Sequence, residues 1–206
     1  MMWYQWLAVA ALAVCIGSAL FHFIRLIRLG KPRDYSKSTG SENAGIKYSF
    51  TAAMSPKHKE SAYLHLPTYT AGMIYHLATF LAIAVFLVYL TGLLPEGNYR
   101  WLVFAALLAG SVSGIAILIK RFVVAKLRKL SNPDDYISNL LVDVFQLTGA
   151  IAMVSDSAAP AFYVAASLLL FYFPLGKLKH AVYFFAARYH LGVFFGRRGV
   201  WPSKPY

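Results

Sequence analysis

Five histidines stand in or beside long apolar runs of this chain: His22, His65, His76, His180 and His190. An ionisable side chain inside a membrane is costly and marks a functional position by default. Two neutral imidazoles facing each other across an iron are what a b-type haem requires, and neighbouring helices can supply them. The single cysteine, Cys15, allows no internal disulfide. The chain has no C-x-x-C-H and no cysteine cluster, so iron–sulfur chemistry would have to belong to a partner. The competing use of each histidine is a hydrogen bond to a neighbouring helix.

The spacing leaves two haem arrangements open. His65 and His76 are 11 residues apart, about 16 Å along a helix, and His180 and His190 are 10 apart, about 15 Å. A ladder of two haems would pair His65 with His190 and His76 with His180. A single haem would use His76 and His180 alone, with His65 and His190 as alternative ligands. Both arrangements place His180 at the inner membrane boundary, and a bend at Pro174 would help to bring it level with His76. Lys177 and Lys179 are the candidates for pairing with haem propionates. Asp143 and His22, at similar nominal depth, are the candidates for proton handling near a quinone.

These residues need a scaffold, and the composition describes it. The chain has 206 residues, 59% hydrophobic and 14% charged, far below the usual charge content of a soluble domain. The pattern predicts an all-α integral membrane protein, a single membrane domain over 1–206. Spans fall at about 3–28, 68–94, 101–124, 136–155 and 159–180, since about 20 apolar residues cross the hydrocarbon core. The fourth span carries Asp143. Residues 30–62 read as a long connecting loop and 181–206 as a tail containing an amphipathic helix. PEGN at 95–98 reads as a short turn. NPDD at 132–135 places acids at the start of the fourth helix, where its dipole favours them. Small residues from Ala109 to Gly114 suit close helix packing.

The net charge of +12 does not point to nucleic acid, because its distribution is that of a membrane protein. Eight Lys and Arg lie from Arg25 to Lys59, five from Lys120 to Lys129 and six from Lys177 onward, leaving only Arg100 elsewhere. The positive-inside rule then predicts an outer N-terminus, with the basic loops and the C-terminus in the cytoplasm. That basic side would meet anionic membrane lipid or an acidic partner.

Phe173, Pro174, Lys177 and His180 close the fifth run, GMIYHLATF places Gly72 and His76 in the second, and DDYISNLLVDVFQLTG fills the fourth. With the trailing FGRRGVWP, these stretches resemble the membrane cytochrome b family of respiratory nitrate reductase gamma subunits, which includes cytochrome subunits of heterodisulfide-reductase-like complexes. The resemblance implies haem b held by His76 and His180, and electron transfer between a quinone, menaquinone among them, and a cytoplasmic iron–sulfur subunit. It further implies a prokaryotic inner membrane. Two-haem members carry a further ligand ten residues after the first on helix two and another eighteen before the last on helix five. Those positions are Phe86 and Phe162 in this chain. Phenylalanine cannot bind iron, so the resemblance implies one haem.

Overall fold

A computed structural model describes residues 1–29, 34–55, 64–93 and 97–202. The sequence expectations for 30–33, 56–62, Pro95, Glu96, the end of the second span at 94 and the last four residues lie outside the described residues, as does the sixth histidine, His58. Among the described residues the chain is all helix and turn, without strands. The helices are α1 (Trp3–Leu29), α2 (Glu42–Phe50), α3 (Leu66–Leu90), α4 (Tyr99–Val123), α5 (Ala125–Leu130), α6 (Pro133–Val154), α7 (Ala159–Tyr172) and α8 (His180–Arg197). Four of them, α1, α3, α4 and α6, are long and apolar enough to cross a membrane. A fifth span results if Asp156–Tyr172 and Lys177–Arg197 count as one broken crossing. The chain is therefore an all-α membrane bundle, as its hydrophobic runs predict.

The described chain divides into two compact units. Met1–Ile16 and Leu66–Leu178 form the first, and Gly17–His65 with Lys179 onward form the second.

In the first unit α4 packs along both α3 and α6, and α7 packs on α6. Its core is aromatic. Phe145 stacks on Phe162 with centroids 5.3 Å apart, and Phe86 meets Phe162 edge to face at 6.2 Å. Tyr89 donates to the Ala152 carbonyl at 2.8 Å, and Tyr163 donates to the Tyr89 carbonyl at 2.6 Å. Each buried phenol thus ends on a backbone acceptor, which removes the cost of burying its hydroxyl. The start of α1 joins this core through Ala8 and through Tyr4, whose ring lies 5.3 Å from that of Tyr163.

The start of α6 is set by the NPDD signal. Asn132 accepts from the Asp135 N–H at 3.0 Å and Asp135 accepts in return from the Asn132 N–H at 3.0 Å, a capping box with Pro133 in the first turn.

The expected fifth span, 159–180, is interrupted. Its helix α7 ends at Tyr172, because Pro174 has no N–H to continue the ladder. The N–H groups of Leu175 and Gly176 both turn back to the Tyr172 carbonyl, at 3.0 and 2.9 Å. A 3-10 turn over Lys177–Lys179 follows, and His180 opens α8 instead of closing a span. The break is fastened to the start of α6: Tyr172 donates to Asp134 and Lys177 to Asp135. Gly176 is buried there, and a Cβ on it would run into the Tyr172 ring and Asp134.

The second unit is built on α2 against α8. The segment read as a loop, 30–62, contains α2, whose N-terminus is capped by Ser41 accepting from the Ala44 N–H at 3.3 Å. Gly45 faces Gly192 and Gly196, and a Cβ at any of the three would strike the other helix's backbone. Such contact is possible only between glycines. Ser49 adds a hydrogen bond to the Arg188 carbonyl at 2.8 Å. The small residues of α8 face inward, while Tyr183, Phe184, Phe185, Leu191 and Phe194 stay exposed.

Candidate functional site

The expected site residues fall into three groups. His76 lies on α3, exposed, two positions before the buried Ala78 and therefore roughly 160° around the helix from it. The packed stripe of α3 is Ala78, Ala82, Val85, Phe86 and Tyr89, so the imidazole is not part of its own unit's core. His180, also exposed, is the first residue of α8 in the second unit, with Lys179 just before it. As a donor set two imidazoles suit a b-type haem.

The alternative ligands are placed differently. A ring nitrogen of His190 lies 3.2 Å from the Leu26 carbonyl, within the second unit, which is the geometry of interhelical glue. His65 is exposed just before α3, and His22 is half-buried on α1 beside Phe21. Lys177, a propionate candidate, is bound to Asp135, which Arg121 also approaches at 3.6 Å.

Phe86 and Phe162 form the second group. Both are buried, 2% and 0% exposed, and they meet edge to face with Phe145 stacked beside them. The two positions at which the resembled family carries facing ligands thus meet ring to ring in the first unit, with Phe145 completing a cluster of three rings.

The third group surrounds Asp143 and was only partly anticipated. Asp143 is 4% exposed, in the middle of α6, on one face with Asn139 and Gln146. Asn139 Nδ2 donates to Asp143 Oδ2 at 3.0 Å, to the Tyr75 hydroxyl at 3.2 Å and to the Gly114 carbonyl at 3.3 Å. Gln146 Nε2 donates to the Tyr75 carbonyl at 3.0 Å and to Thr79 Oγ1 at 2.7 Å. Tyr75 and Thr79 come from α3, Gly110, Ser111 and Gly114 from α4. Sequence reasoning singled out Asp143 but missed its partners. The spacing of Asn139, Asp143 and Gln146, three polar residues on one face of an apolar helix, was the available signal.

Among the described residues no group of three His, Cys, Asp or Glu is placed to hold a metal ion. A bis-imidazole haem needs only two side chains. The chain matches no family model, no curated protein and no solved structure.

Proposed function

We propose that this protein is a membrane-anchor cytochrome b subunit with one haem, passing electrons between a membrane quinone and a cytoplasmic iron–sulfur partner. The observation that supports it is the ring contact of Phe86 with Phe162. In the family the chain resembles, these two positions carry the ligands of one haem, and here they meet. The other ligand pair follows by count: His76 lies ten residues before Phe86, and His180 eighteen after Phe162.

When bound, the haem supplies one-electron chemistry. The chain's part is to hold it by His76 and His180, to surround it with a low-dielectric bundle that tunes its potential, and to exclude a second one at Phe86 and Phe162. The basic segments around Arg25, Lys126 and Arg197 offer the charge that an acidic partner subunit would meet.

The purified protein is expected to show a b-type reduced-minus-oxidised spectrum with one haem per chain. His76→Ala and His180→Ala should each abolish it, and His190→Ala should keep it. Full haem retention in His180→Ala refutes the assignment. Two haems per chain would return the ladder that uses His65 and His190. A chain without haem would be a scaffold or transporter subunit with histidines as helix glue.

A further inference from the structure

The buried polar cluster of the first unit contains oxygens without a hydrogen-bond partner. Three of its oxygens have no partner: Asp143 Oδ1, Gln146 Oε1 and Ser111 Oγ. Their residues are 4%, 0% and 1% exposed, so water outside the bundle does not reach them. A buried polar atom without a partner is costly, and native interiors leave few of them.

Most of the donors already present are directed elsewhere. Both hydrogens of Gln146 Nε2 go to the Tyr75 carbonyl and Thr79 Oγ1. The amide cannot be turned around, because a backbone carbonyl only accepts. Thr79 donates to the Tyr75 carbonyl at 2.8 Å, and the Tyr75 hydroxyl is shared between the Asn139 carbonyl, at 3.2 Å, and the Asp143 carboxyl. Asn139 Nδ2 serves three acceptors.

Both acceptors point at α4. Asp143 Oδ1 occupies the place a Cβ on Gly114 would take, and Gln146 Oε1 lies 2.6 Å from where a Cβ on Gly110 would be. The two glycines are one turn apart, so the oxygens enter neighbouring notches of the same helix.

A carboxylate here would also lack a counter-charge. From α3 the titratable group facing it is the Tyr75 phenol. On α4 the nearest cations are Lys120 and Arg121, at least six residues or about 9 Å along the axis from Gly114. Lys120 is bonded to Thr68 at 2.6 Å, and Arg121 to Ser131 at 3.0 Å and Asp135. On α6 itself Asp135 lies two turns away with Lys177 and Arg121. The phenols of α7 are held by Asp134 and the Tyr89 carbonyl.

We infer that Asp143, Gln146 and Ser111 form an intramembrane site for one exchangeable proton, with Asp143 held as a carboxylic acid in the resting protein. The added hydrogen turns Oδ1 into a donor and removes the unpaired charge in one step. Asp143 is ten residues from the start of α6 and eleven from its end, so the proton is held midway along the helix, about 15 Å from either terminus. This inference does not depend on the haem reading.

Infrared spectroscopy of the full chain in lipid nanodiscs tests it. A protonated-carboxyl band is expected at neutral pH, to be lost in Asp143→Asn and shifted downward after transfer to deuterated water. Gly114→Ala, which fills the notch, should move the band without removing it. Isotope-labelled aspartate in the wild-type protein identifies the same band even if Asp143→Asn does not fold. Absence of any aspartate-dependent protonated-carboxyl band at neutral pH overturns the proposal. A band that never responds to deuterated water shows a locked acid and overturns it too. Loss of the band when sodium replaces choline in the buffer would make this a cation site instead.

Discussion

The two units hold themselves together by opposite means. The first fills its centre with large side chains, Phe86, Phe145, Phe162, Tyr89 and Tyr163, whose phenols end on backbone carbonyls. The second brings backbone against backbone through Gly45, Gly192 and Gly196, and leaves Tyr183, Phe184, Phe185 and Phe194 of α8 exposed. A core of rings loses contact area when a ring is removed, whereas a glycine contact fails when an atom is added. Opposite substitutions should therefore injure the two units.

The largest effect is expected at Phe162, which touches Phe86, Phe145 and Tyr89 at once. Phe162→Ala should lower stability by about 3–5 kcal/mol, the usual cost of emptying an aromatic site. Thermal unfolding in detergent measures it. An unchanged midpoint would mean that the ring cluster does not support the first unit.

Gly45→Ala comes next, as the converse change. A methyl there meets the Gly192 carbonyl and the Gly196 backbone, which no rotamer change relieves. Overpacking costs about 1–3 kcal/mol, and a backbone clash belongs at the upper end. Limited proteolysis within α2 and α8 should accelerate in this variant while the first unit keeps its protection. Equal loss in both units would erase the proposed difference between them.

The same contrast explains what was legible in the sequence. Four spans follow from the length of their apolar runs, and the start of α6 from NPDD, since both signals are local. The end of the fifth run was not legible in the same way. Its hydropathy carries past Pro174, but Tyr172 and Lys177 are fastened to Asp134 and Asp135, a contact visible only once α6 and α7 are paired. Residues 42–50 looked like connector because their Ser, Gly and Lys content lacks an apolar face. Their helix gains its stability from glycines 147 and 151 positions further along the chain. Asp143 stood out as a charge in an apolar run. Its glycine notches and its unpaired neighbours depend on how three helices are rotated against one another, which no single run encodes.

The smallest expected effect lies in the ionic clasp of the second unit, and its sign can be worked out. Asp34 is bonded by the Ser36 hydroxyl at 2.7 Å and the Ser36 N–H at 3.0 Å, and Arg198 and Arg197 stand 2.9 and 3.8 Å away. The Ser36 hydrogen bonds, and then the two arginines, hold its carboxyl below the ordinary aspartate range. The folded state therefore releases this proton more readily than the unfolded chain does. Stability from the clasp is present above the ordinary aspartate range and is lost as pH falls through the lowered value. Acidification should thus bring wild type and Asp34→Asn together, with the wild type more stable at neutral pH. The margin should be small and should shrink with salt, because the clasp is only half-buried and solvent reaches it. Arg197 keeps a second role that acid leaves intact: its guanidinium donates to the Ser36 carbonyl at 2.9 Å, and its own carbonyl accepts from the Thr39 and Gly40 N–H groups at 2.9 and 3.1 Å. Acid should therefore loosen the clasp without separating α2 from α8. A cooperative loss of the second unit at mildly acidic pH would show that charge, and not the glycine contact, holds it together.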